Sequence, residues 1–198
     1  MKYGELNLGQ IEAVVNKLGG MEGVRRFLSG ELVVEEAESQ LKVWKTIRLG
    51  TGLRTVDDFH RALGNAGFGT DFWTRDILSK PTFMVATREI EVDLVKVTPA
   101  RLGLRKGARR NLIYERAKDF GLELCPPEVG PQLCLQYQSQ PDDKPLHIGM
   151  ESIIGPNDNQ FVFGIHYSSS KFRLATFCGY PSYFWRASSC WVFCLPRK

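Results

Sequence analysis

A chain of 198 residues with 43% hydrophobic and 24% charged content has the make-up of a globular protein, long enough for one domain or two small ones. No apolar run approaches the roughly 20 residues of a membrane-spanning helix, and the start MKYGELNLGQ lacks the charged-then-apolar order of a secretory signal. Disorder, a membrane role and export are thereby set aside, and a cytoplasmic protein is the expectation.

Residues 8–19 carry Ile11, Val14, Val15 and Leu18 at helical spacing and stop at Gly19-Gly20. A second short helix follows, with Met21, Val24, Phe27 and Leu28 on one face and Gly30 as its end. A plain helical pair is favoured over a DNA-reading helix-turn-helix, whose turn needs three or four residues. Leu32–Val34 and Val43–Leu49 suit short strands, with Glu35, Glu36 and Glu38 between them. Thr55-x-x-Asp58 is a capping box for a helix holding Val56, Phe59 and Leu63. Thr70 is placed to cap a further helix with Phe72, Trp73, Ile77 and Leu78, stopped by Pro81.

Phe83–Ala86 and Ile90–Val97 read as extended. Thr98-Pro99 suits a helix start, and residues 108–120 form the strongest helical pattern, closed by Gly121. Pro126-Pro127 and Gly130-Pro131 mark a linker. Beyond it the pattern turns to strands: 132–137, 146–153, 160–167, 171–177 and 190–195. The expected class is therefore α+β. A helical and mixed part (1–124) precedes an antiparallel β-sheet of about five strands (125–198), packed on the long helix as a second part or one continuous domain.

Five cysteines (Cys125, Cys134, Cys178, Cys190, Cys194) include no C-x-x-C pair. In SSCWVFCL, strand geometry puts positions 190, 192 and 194 on one face. Buried reduced thiols are expected, with no metal and no cofactor.

Three surface features carry chemistry. Between Lys96 and Lys118 lie eight Lys/Arg against the single acid Glu115, a local +7 in a chain of +4 overall. Arg101, Arg105, Lys106, Arg109 and Arg110 are the candidate anion contacts. Cations in a first helical turn oppose the macrodipole, while free N–H groups there attract anions. Nucleic acid or another polyanion is the leading partner, the bland alternative being a solvated face or pairing with Glu35, Glu36 and Glu38.

Second, eleven of 22 aromatic residues fall within 161–193. Most suit a sheet core, but Tyr180, Tyr183, Phe184 and Trp185 in GYPSYFW occupy a loop, either a lid or an interaction patch for a protein partner. Third, a hairpin turning at 155–158 pairs residues summing to 313 and so sets His147 across from His166 on the outer face. The two histidines are weak metal candidates, since Glu151 is too far along the strand to be a third ligand. Glu89, Glu91 and Asp93 line one strand face and offer a carboxylate site for an enzyme, a minor alternative beside solvated charges.

Three segments, LGGMEGVRRFLSGEL (18–32), WKTIRLGTGLRTVDDF (44–59) and YERAKDFGLELCPPEVGPQLCLQY (114–137), together resemble a family of uncharacterised bacterial proteins. Members also end in a segment similar to WVFCLPRK (191–198). The resemblance spans nearly the full chain and implies a bacterial cytoplasmic setting; it carries no activity.

Overall fold

The chain divides into two compact units, residues 1–40 and 41–198. The computed structural model describes residues 7–33, 41–137, 144–168 and 171–197. Glu35, Glu36, Glu38 and the end of the strand expected over 32–34 lie outside these.

The first unit holds α1 (Leu8–Lys17) and α2 (Gly20–Leu28). Asn7 opens α1 with a full capping box, its side chain accepting the Gln10 amide while Gln10 accepts the Asn7 amide, both at 2.9 Å. Leu18 and Gly19 alone join the helices, and Gly19 and Gly20 take φ of 91° and 80°. That link is shorter than the turn of a helix-turn-helix.

In the second unit, strands and helices follow as β1 (Lys45–Leu49), α3 (Val56–Asn65), β2 (Gly69–Thr70), α4 (Phe72–Leu78) and β3 (Ile90–Val97). Next come β4 (Ala108–Arg109), α5 (Arg110–Asp119), α6 (Val129–Gln136), β5 (Leu146–Ile148) and β6 (Ile153–Ile154). The chain closes with β7 (Gln160–Ser168), β8 (Lys171–Cys178), β9 (Phe184–Trp185) and β10 (Cys190–Leu195). The α+β class is as expected, but the sheet is larger and differently ordered. Eight described strands run β1-β3-β10-β5-β7-β8-β2, with β6 on β7. It is also mixed rather than antiparallel, because β10 runs parallel to β5 and β2 parallel to β8. The cause is topological: β10 inserts between β3 and β5, so one ladder joins strands from both sides of residue 124.

Local rules hold where a single segment decides. Thr55 and Asp58 form the capping box at the head of α3. Asp71, rather than Thr70, caps α4 by accepting the Thr74 amide at 2.7 Å, because Gly69-Thr70 is drawn into pairing with β8. Residues 99–106 form turns instead of the helix expected from Thr98-Pro99.

The segment 132–137, expected as a strand, belongs to α6, and the expected linker is that helix's approach and first turn. Pro131 fits because first-turn amides have no intrahelical acceptor to lose. Glu128, Gln132 and Gln136 are four apart and form a polar column along the outer edge of β1. Gln136 accepts the Arg48 amide (2.9 Å) and donates to the Arg48 carbonyl (2.7 Å). Gln132 donates to Thr51 Oγ1 (2.8 Å) and to Glu128 (3.0 Å). Glu128 accepts the amides of Gly50 and Ala86, each at 2.8 Å. The helix gives an edge strand the partners that another strand would supply.

Two cores follow from strand alternation. On β10, Cys190, Val192 and Cys194 share one face, as expected, and pack in the core that holds Phe59 and Leu63 of α3, Ile77 of α4 and Leu133 of α6. Trp191 and Phe193 face the other way, against Ile113, Tyr114 and Ala117 of α5. Four of the five cysteines are buried; Cys125 and Cys194 bring their sulfurs to 3.5 Å.

The 146–153 strand is interrupted. β5 pairs with β7 as Leu146↔Ile165 and His147↔Gly164, whereas β6 pairs as Ile153↔Phe161 and Ile154↔Gln160. Residues 149–152 leave the ladder between them and shift the register by three. Gly149 permits this, since a Cβ there would lie 2.3 Å from the Phe193 ring. The Met150 carbonyl, freed from the ladder, accepts the Tyr114 hydroxyl at 3.0 Å.

Candidate functional site

Two features remote in sequence, the basic run and the aromatic loop, meet in a two-stranded ladder. β4 and β9 pair antiparallel as Ala108↔Trp185 and Arg109↔Phe184. Directly opposed residues on one face approach to roughly 5 Å between Cβ atoms, so the Arg109 and Phe184 side chains leave the ladder on the same face, and both residues are exposed. Gly107 makes the approach feasible. It sits at φ 83°, and a Cβ there would fall 2.4 Å from the Trp185 carbonyl oxygen and 3.0 Å from Phe184 Cε1.

The GYPSYFW segment splits between two roles. Trp185 is 7% exposed and packs on Trp191 with ring centroids 5.0 Å apart, so it is a core residue. Phe184 and Tyr183 are 58% and 47% exposed, and Tyr183 rests edge-on against Trp185 at 5.1 Å. Tyr180 is anchored by its hydroxyl, which donates to Asn159 Oδ1 at 3.1 Å. Arg186, which the sequence reading did not single out, is exposed next to this loop.

The basic residues divide as well. Arg105, Lys106 and Arg109 are exposed. Arg101 lines a separate cavity of about 430 Å³ with Lys42, Lys96 and Trp44, the Lys96 ammonium lying 5.8 Å from the Trp44 ring centre. Arg110 is inward and only 5% exposed. Its guanidinium lies 4.7 Å from the Tyr114 ring centre and donates to the Met150 carbonyl at 3.4 Å. At the head of α5, the Arg110 amide donates to the Tyr183 carbonyl (2.9 Å) and the Asn111 amide to that of Pro181 (3.1 Å). The loop carbonyls therefore take two of the first-turn donors that an anion was expected to use.

The histidines are not directly opposed, because the excursion at 149–152 moves the register: His147 faces Gly164 and His166 faces Arg173. Nor does His147 lie on an outer face. It is buried among rings, with centroids 4.4 Å from Trp185, 4.5 Å from Phe177 and 5.3 Å from Trp191. Burial, with a smaller push from nearby His166, drives its pKa down to about 3. A neutral ring in an apolar cage is what this arrangement holds. Among the described residues, no group of three His, Cys, Asp or Glu is placed to hold a metal ion.

On the acidic strand face, Glu89 and Glu91 pair with Arg48 at 3.3 and 3.7 Å, and Arg197 pairs with Glu91 at 3.0 Å and Asp93 at 2.8 Å. Hydrogen bonds from Arg197 and then from Thr46 hold the Asp93 pKa down to about 2. These carboxylates are set in an ion-pair lattice with neighbouring chain segments, an environment that keeps Asp93 ionised rather than offering it as a proton donor.

No family model matches this chain, and neither a curated protein nor a solved structure does so. No helix among the described residues is long and apolar enough to cross a membrane.

Proposed function

We propose that the surface formed by β4, β9 and the turns beside them binds single-stranded nucleic acid. The observation that carries this reading is the Arg109↔Phe184 pairing, which puts an exposed arginine and an exposed phenylalanine on the same face of one short ladder. Arg105, Lys106 and Arg186 add positive charge nearby in sequence, and Tyr183 adds a second ring. Phosphates need cations, and unstacked bases gain about 1–3 kcal/mol each on aromatic platforms. A duplex keeps its base faces stacked inside, so this mixture favours single strands over duplex and over a polyanion without bases. Arg110 belongs to the support of the surface rather than to its contacts. The bacterial cytoplasmic setting rests on the sequence resemblance.

The test is fluorescence anisotropy with labelled single-stranded DNA and RNA, competed by duplex and by heparin. Arg109→Glu is expected to weaken binding about tenfold or more, and Phe184→Ala to weaken single-strand binding while leaving heparin binding intact. Affinity that is independent of salt, or that survives Arg109→Glu, rejects the reading.

A further inference from the structure

A cavity of about 790 Å³ plays no part in that surface. Its walls come from 81–86, 124–128 and 151–153, with Leu49 and Ile90 from the ends of two strands. The volume lies within the roughly 300–1,000 Å³ of small-molecule sites. Three features make it a built site rather than a gap between loops.

The walls are fixed first of all by Glu128, fully buried, whose carboxylate accepts the amides of Gly50 and Ala86 and the Gln132 side chain. One side chain thereby ties the segment after β1, the 81–86 segment and α6 together. On the opposite wall, the Cys125 amide donates to the Gly149 carbonyl at 2.7 Å, and Met150 is held by Tyr114. Second, the lining is mainly apolar, with Met84, Ile90, Pro127 and Ile153 contributing, and Met84 is 71% exposed. Methionine adapts its shape to irregular apolar partners. Third, the lining includes two carboxylates and no Lys, Arg or His. Glu128 is occupied by its donors, so the carboxylate left to meet a ligand is Glu151, which is exposed.

We propose that this cavity binds an apolar small molecule with a primary ammonium head, its body enclosed by Met84, Pro127 and Ile153 and its head at Glu151. An anionic amphiphile of the same shape would meet the Glu151 carboxylate and no lining cation, and is selected against. The cavity offers no activated nucleophile: burial and the neighbouring Cys194 raise the Cys125 pKa well above its usual value.

The experiment uses the full chain and the fluorescence of bound N-phenyl-1-naphthylamine, a neutral probe, displaced by dodecylamine, dodecanol or dodecanoate below their micelle concentrations. Dodecylamine is expected to displace the probe at concentrations about tenfold lower than dodecanoate. Glu151→Gln is expected to remove that preference while leaving dodecanol unchanged. Filling the cavity by Ser152→Trp, or by Thr82→Trp if the first does not fold, is expected to weaken all three ligands about tenfold, with single-strand binding unaltered. Equal displacement by the three chains, a preference that survives Glu151→Gln, or binding that survives the filling variants overturns the proposal.

Discussion

Around Arg109 the chain holds cations and flat rings out in solvent, whereas around Pro127 it lines an apolar volume whose charged residues are carboxylates. Both regions are framed by regular sheet and completed by an irregular segment. At the surface, Gly107 in a left-handed conformation lets β9 approach β4. At the cavity, residues 149–152 leave the ladder, and Glu151 and Ser152 of that segment line the wall. The surface thus carries Arg109 and Phe184 on paired backbone, whereas the cavity carries Glu151 on backbone that has left its ladder.

The sharpest way to separate the two is Glu128→Ala. It leaves the Gly50 and Ala86 amides without their acceptor, so unfolding free energy in urea should fall by about 3–5 kcal/mol. Probe binding in the cavity should fall with it, while single-strand binding by the folded fraction should not. A loss under about 1 kcal/mol would show that the carboxylate is not the tie described.

Gly107→Ala strikes the other region. The added Cβ meets the Trp185 carbonyl at 2.4 Å, and the strain should cost about 2–3 kcal/mol. Trp185 emission should shift to the red as β9 detaches, with cavity binding retained. An unchanged spectrum and stability would contradict the ladder's role.

His147 predicts a pH effect next in size. Its folded pKa of about 3 lies below the ordinary 6.5, so the unfolded chain binds the extra proton. Stability is complete above pH 6.5 and declines as pH falls toward 3, by about 2 kcal/mol between pH 6.5 and 4.5. His147→Phe should flatten most of that window. A residual slope belongs to His60, whose pKa is lowered by partial burial and then by Arg75. A profile identical to the parent's would contradict the buried neutral imidazole.

Arg197→Ala should have the smallest effect. Its pair with Glu91 is half-exposed and its pair with Asp93 is open to solvent on the arginine side, so the thermal midpoint should fall by about 2 °C or less, and less still in salt.

What the sequence disclosed follows the range of each interaction. The Thr55–Asp58 capping box and the shared face of Cys190, Val192 and Cys194 depend on neighbours within a few residues, and both are seen. The 132–137 segment misleads because Leu133 and Leu135 alternate like a strand. Its helical signal is polar, in the spacing of Glu128, Gln132 and Gln136, and acquires meaning only beside the edge of β1. His147 misleads because the register assumes an unbroken strand, and the excursion at 149–152 depends on Tyr114 and Phe193 from elsewhere in the chain. The candidate surface was legible as two separate lists. That Arg109 meets Phe184, and that Arg110 and Trp185 turn inward, required the fold.

The most direct test of the proposed surface is the salt dependence of anisotropy for a labelled single strand of about 16 nucleotides, with and without Phe184→Ala. Contact by Arg105, Lys106, Arg109 and Arg186 predicts a slope of log affinity against log salt of roughly −3, and a loss of about tenfold or more on removing the ring. A slope near zero, or a single strand bound no better than duplex and indifferent to Phe184→Ala, would contradict it.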